Sequence, residues 1–210
     1  AEYLQKLDDL LADADTYAKK KKGFSAKQSI KFNKDARKIL KKSEAGKKFL
    51  HLLEESPKSP RLKGLPKVHK EGMPMRPIIT GIGSAPHKLA KVLAKPLTKA
   101  LGTISDAHVK NSTKVIEELK RIDMSDKKLA SFDVKSLFTN VPVKGALEAI
   151  AKVVDVIDER SLPLPKVQYL EIVSLCMHFN AFSFNGQEYS QLNGLAMGSP
   201  LSPVAACFYM

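Results

Sequence analysis

An aspartate closes a short apolar run at Ser131-Phe-Asp-Val134, and Phe138 follows it five residues on. A lone carboxylate at the end of a strand is costly to bury unless it is paired or metal-bound. In nucleotidyl transfer such an aspartate holds Mg²⁺, which activates an attacking 3′-hydroxyl and neutralises charge developing on phosphate. The backbone carbonyl of Val134 can add a ligand. Phe138 can set an aromatic wall against an incoming sugar, leaving no room for a 2′-hydroxyl. An ordinary structural account is also open: Asp133 caps the following turn and Phe138 belongs to the core.

Two further segments could act beside it. Lys67, Lys70 and Arg76 lie on a proline-stiffened ribbon, with Arg76 directly before Pro77. Arginine offers a planar fork of donors suited to phosphate oxygens, and lysine a mobile point charge, so such a tip could close over a triphosphate or be a plain exposed basic turn. Gly194-Leu-Ala-Met-Gly-Ser-Pro-Leu-Ser-Pro203 is a tight, partly apolar loop leading into a helix. Its backbone could approach a base pair and template, or it could be a structural helix entry.

The elements that must position these segments follow from periodicity. Leu4, Leu7, Leu10 and Leu11 predict a helix near the N-terminus, broken by Lys19–Lys22, which could be a nuclear-import signal, a phosphate contact or a solvated helix end. A second, basic helix is expected from about Lys34 to Leu53, ended by Ser56-Pro57 and Ser59-Pro60. Residues 61–80 read as strand, turn at Glu71-Gly72, and strand. Ser84 and Pro86 open a helix with Leu89, Val92, Leu93, Leu97 and Leu101 as its buried stripe and a kink at Pro96. Val115, Ile116 and Leu119 mark a short helix, and Leu129–Val134 reads as a strand. Pro142 opens a helix carrying Leu147, Ile150, Ala151, Val154 and Ile157; Pro165 opens another carrying Val167, Leu170, Val173 and Met177. Asn185-Gly186 between alternating apolar residues signals a type I′ hairpin. Helices and hairpins without regular strand–helix alternation predict an α+β fold.

Bulk properties bound the function. The net charge is +13, and it is unevenly placed. Residues 1–76 hold 20 Lys+Arg against 10 Asp+Glu, and residues 77–210 hold 15 against 12. A basic half joined to a nearly neutral one favours a polyanionic partner. No apolar run approaches the roughly 20 residues that span a bilayer, so no membrane association is expected. The start shows no signal-peptide pattern, and Ala1 in place of Met points to a processed or fragmentary chain. Cys176 and Cys207 are expected as reduced core residues, and the five histidines show no metal-ligand spacing.

The order of the three segments resembles that of reverse transcriptases, and in particular of the Penelope-like retroelement group. Gly64-Leu-Pro-Lys-Val-His-Lys70, Arg76-Pro-Ile78, His108-Val-Lys-Asn-Ser112, Ser131-Phe-Asp-Val134, Ser136-Leu-Phe-Thr139, Phe184-Asn-Gly186 and Gly194–Pro203 carry the likeness, which is specific from Arg61 onward. It implies a right-hand polymerase, with fingers and a partial palm built on an incomplete antiparallel sheet with packed helices. Residues 1–56 would be a basic helical extension, and 57–210 the fingers and front of the palm. Asp133 would be the catalytic, metal-holding aspartate, and Val134 would join the metal shell. Phe138 would exclude ribonucleotides. Lys70 and Arg76 would hold the incoming deoxynucleoside triphosphate, with Met197 and Gly198 beside the nascent base pair. Lys67, Ser199 and Pro200 would face the RNA template and DNA primer. The implied cofactor is Mg²⁺, and the implied location is the nucleus.

The family supplies a second pair of carboxylates from an aromatic-x-Asp-Asp hairpin after the loop helix, and the sequence ends at Met210 without one. Two-metal chemistry needs carboxylates from more than one strand to hold ions ~3.5–4 Å apart. This chain alone is therefore expected not to polymerise, and an incomplete palm sheet with an open strand edge is expected to be poorly stable by itself. A degenerate relative that only binds nucleic acid, and an unrelated basic domain, are the competing readings. Asp8 and Asp9, the adjacent aspartates, are expected to be a solvated helix face.

Overall fold

The computed structural model describes residues 2–104, 109 and 111–210. His108 and Lys110 of the His108–Ser112 segment lie outside them. Among the described residues the chain forms nine helices and one five-stranded sheet, an α+β arrangement.

In chain order the elements are α1 (Glu2–Leu11), β1 (Tyr17–Lys20), α2 (Phe24–Leu40), α3 (Glu44–Lys47), β2 (Arg61–Pro66), β3 (Met75–Thr80), α4 (His87–Ile104) and α5 (Ser112–Leu119). There follow α6 (Leu137–Asn140), α7 (Val143–Val156), α8 (Lys166–Met177), β4 (Ala181–Phe184), β5 (Gln187–Gln191) and α9 (Ser202–Tyr209). The strand order is β1-β5-β4-β2-β3. The sheet is mixed, not antiparallel: β4 returns from the helical layer beside the start of β2 and runs parallel to it. Arg61 pairs with Ser183, whose amide donates to the Pro60 carbonyl at 2.8 Å.

Two apolar clusters hold the molecule. α1 lays Leu7 and Leu11 on one sheet face, against Tyr17, Leu62, Ile79, Phe182, Phe184 and Tyr189. Within it Phe182 stacks on Tyr189 at 5.5 Å and meets the edge of Tyr17 at 5.8 Å. The larger cluster joins α2, α4, α7, α8 and α9. At its centre Tyr169 of α8 is fully buried, and its hydroxyl donates to the Leu93 carbonyl of α4.

The hairpin at Asn185-Gly186 has positive φ at both turn residues, 46° and 76°, as a type I′ turn requires. Leu89, Leu93, Leu97 and Leu101 are buried as their spacing predicts, and α4 runs unbroken through Pro96. Asp8 and Asp9 are exposed.

Several expectations are corrected. The basic helix runs from Phe24 to Leu40 and does not reach Leu53. Ser43 ends it by capping α3, its side chain accepting from the Gly46 amide at 2.9 Å and donating to Gln168 Oε1 at 2.6 Å. Lys19 and Lys20 are not a helix end but an edge strand, where lysines discourage pairing with other chains. Val167 is exposed, because α8 turns Tyr169, Ile172, Val173 and Cys176 inward instead. Residues 129–134 form no strand. No described strand takes up their backbone groups, and Phe132 is 94% exposed.

Cys176 is buried and Cys207 exposed, both as free thiols, so only one is a core residue. Burial pushes the Cys176 thiol far up. A thiol-reactive chromogen should therefore titrate one equivalent in the native protein and two in denaturant; two rapid equivalents in the native state would refute the packing of α8. Burial, reinforced by the Asp13 carboxylate, pushes the Tyr17 phenol up to about 12. The unfolded phenol ionises near pH 10 while the folded one stays protonated, so the unfolded state binds fewer protons and stability falls as pH rises from 10 towards 12. Denaturant midpoints should show this fall, and Tyr17→Phe should make it shallower.

Candidate functional site

The β2–β3 hairpin is a two-faced ribbon. Leu62 and Gly64 of β2 and Ile79 of β3 turn towards α1. Arg61, Lys63 and Leu65 share the other face with Arg76, Ile78 and Thr80, and Arg61, Lys63, Leu65 and Arg76 are exposed there. α1 fastens the hairpin along its length. The Gly64 amide donates to the Tyr3 hydroxyl at 2.9 Å, and Lys6 Nζ donates to the Gly72 carbonyl at the tip, also at 2.9 Å. Lys67 is half-buried at the base of the tip and Lys70 is exposed upon it. Gly72 and Met73 turn the chain with φ of 70° and 43°.

Tyr3, Lys6 and Leu7 were not legible as supports of this ribbon. The available signal was Gly64: a glycine inside a strand marks a close approach by another element, and a side chain there would strike Leu7.

The loop between β5 and α9 is the junction of the site. Its Met197 carbonyl accepts from the Ile79 amide at 2.6 Å, on the open edge of β3. Gly198 has φ 118°, and a Cβ there would run into the Ile79 carbonyl oxygen. Three residues earlier, the Leu195 amide donates to the Phe138 carbonyl at 2.7 Å. Gly194 has φ 79°, and its Cβ would stand 2.5 Å from Thr139 Cα. The loop is closed on itself by Ser202 Oγ, which donates to the Ala196 carbonyl at 2.6 Å. Met197, Ser199 and Pro200 are half-buried and Gly198 is exposed.

The structure thus brings the loop against both the strand of Arg76 and the turn of Phe138. Phe138 is half-buried and packs against the larger core. Its turn starts at Ser136, held left-handed at φ 54°, a conformation unusual for a residue with a side chain.

Asp133 is not gathered into this junction. It and Val134 lie in the exposed, irregular segment before Ser136, and the Asp133 carboxylate makes no hydrogen bond or ion pair with another described residue. Among the described residues no group of three or more His, Cys, Asp or Glu side chains could hold a metal ion. One carboxylate and one carbonyl are an incomplete donor set for two ions.

Beneath the loop lies a largely apolar cleft, lined among others by Ile79, His87, Cys176, Phe179 and Leu195. His87 Nδ1 is buried there without a hydrogen-bond partner. Burial, then the charge of Lys91, holds the imidazole below its usual range. Among the described residues no helix is long and apolar enough to cross a membrane.

Among known proteins the chain has no matching family model and no significantly similar curated relative.

The docking of the loop yields a direct test. Gly198→Ala forces a side chain into the Ile79 carbonyl at a φ suited to glycine, and should lower stability by about 1–3 kcal/mol. Urea denaturation reads this as a shifted midpoint. An unchanged midpoint would mean that the loop does not rest on β3.

Proposed function

We propose that the chain is the fingers and front of the palm of an RNA-directed DNA polymerase of the Penelope-like retroelement kind. One observation carries the reading: the Gly194–Ser202 loop joins the strand of Arg76 to the turn of Phe138, segments about 60 residues apart in sequence. These are the three segments whose order resembles reverse transcriptases, and a polymerase needs them around one nucleotide.

In this reading Lys70 and Arg76 meet the phosphates of a deoxynucleoside triphosphate, through a point charge and a fork of donors. Phe138 bars the 2′-hydroxyl. Met197, Gly198, Ser199 and Pro200 offer a rigid loop to the nascent pair and template, with Lys67 on the primer–template backbone. Asp133 and the Val134 carbonyl would hold Mg²⁺ together with carboxylates from a hairpin following α9; the metal would activate the primer hydroxyl and neutralise the transferred phosphate. The location would be nuclear.

A second reading, a relative that binds nucleic acid without catalysis, is favoured by the exposed setting of Asp133, which belongs to no group of three or more His, Cys, Asp or Glu side chains able to hold a metal among the described residues.

Primer extension on an RNA template with Mg²⁺ separates the two. The protein carrying the downstream hairpin should extend, and Asp133→Asn should slow it by ~10³-fold or more, about 4 kcal/mol of barrier. Phe138→Ala should raise ribonucleotide incorporation. Extension that ignores Asp133→Asn would remove the aspartate from the mechanism, and no extension by the parent protein would favour the binding module.

A further inference from the structure

We propose that the outer face of α2 is a docking surface for the phosphate backbone of a nucleic-acid double helix, separate from the hairpin and loop site and independent of whether that site polymerises.

Residues 19–41 contain nine lysines and Arg37 against a single acid, Asp35, a balance of +9 within a chain of +13. On α2 the lysines form one row. Lys27, Lys31, Lys34 and Lys38, with Lys41 at the helix cap, recur every three or four residues. At 3.6 residues per turn they fall within an arc of ~80° and run for ~21 Å. All five are exposed. The opposite side of the same helix is the buried one, formed by Ser25, Ser29, Phe32, Ala36 and Leu40. Packing therefore fixes the lysine row outward.

Like charges at these spacings repel and weaken a helix. Some lysines on other elements meet acids: Lys6 meets Glu2 at 2.9 Å, Lys42 meets Glu171 at 2.7 Å, Lys88 meets Glu54 at 2.9 Å and Lys114 meets Glu118 at 3.1 Å. Among the described residues none of the five lysines on this row has a carboxylate partner. The row keeps its repulsion, and a polyanion laid along it would relieve it.

The chemistry of the row selects the polyanion. Single strands are held by aromatic platforms on which bases stack, and Phe32, one of the two aromatics of α2, is 3% exposed and turned inward. Ile30 is the large apolar side chain exposed beside the row. With its apolar face already buried in the protein, α2 has none to insert into lipid. A straight, rigid row of point charges matches a stiff backbone, and ~21 Å covers about six steps of a duplex strand. α2 also lies on the sheet face of the basic hairpin. The Ser25 amide donates to Glu188, whose register neighbour Ser183 pairs with Arg61.

The test uses the whole chain and the variant Lys31→Gln/Lys34→Gln/Lys38→Gln, whose side chains are all exposed, with circular dichroism confirming the fold. Fluorescence anisotropy would follow binding to an RNA–DNA hybrid duplex of about 20 base pairs, to its single strands, and to anionic phospholipid vesicles. Each phosphate contact contributes ~0.9 to the slope of log K against log salt. The triple variant should weaken duplex binding at least ~10-fold at low salt and reduce that slope by ~2–3, with a smaller loss for single strands. Unchanged duplex affinity and slope would overturn the proposal, as would a larger loss for single strands or vesicles than for the duplex. A parallel Lys67→Gln/Lys70→Gln variant keeps the two sites apart: failure of the hairpin reading would leave duplex binding through α2 intact.

Discussion

At Gly198 the backbone of the Gly194–Ser202 loop meets the backbone of Ile79 with no room for a side chain between them. Strand β3 is the last in the sheet, and its outward amides need an acceptor. The Met197 carbonyl supplies one, and in doing so ties the helical layer that starts at α9 to the ribbon that carries Arg76. Gly194 repeats the device on the other side, against the turn of Phe138. If either contact is lost, the three candidate segments become separate pieces of surface. Both contacts are backbone to backbone, so they set position without depending on the identity of the side chains that would do chemistry.

Legibility in the sequence follows the range of the forces involved. The Asn185-Gly186 turn was readable because two adjacent residues determine it, and α4 because its leucines recur along one helix. Features set by distant partners were not. Tyr17–Lys20 is a strand only because β5 offers an edge, and β4 is parallel to β2 only because of where the helical layer returns the chain. Ser43 stops α2 through a local cap, but Gln168, 125 residues away, strengthens the break by accepting from Ser43 and donating to the Ile39 carbonyl.

The candidate site divides in the same way. The loop glycines were legible as a tight turn, and their positive φ values agree; what they approach was not. Leu129–Val134 has the composition of a strand, yet composition supplies no hydrogen-bond partner, and the segment stays irregular and exposed. An aspartate in such a setting gains nothing from low dielectric. For Asp133 to act on phosphate, a neighbouring strand would have to bury it and bring further carboxylates, so burial and metal binding at that position would arrive together.

Charge was the coarsest signal in the sequence and the structure sharpens it most. The basic excess of residues 1–76 conceals a division across the sheet. Glu2, Asp8, Asp9, Asp13 and Asp15 all belong to α1 and the turn after it, on the face that holds Leu7 and Tyr17. Arg61, Lys63 and Arg76 lie on the opposite face, where the start of α2 also packs. A polyanion approaching the acidic face is repelled over a Debye length of about 10 Å, and one approaching the basic face is drawn in. The sheet therefore does more than carry the hairpin: it separates an acidic helix from a basic one, so that the net charge of the chain is divided between two faces.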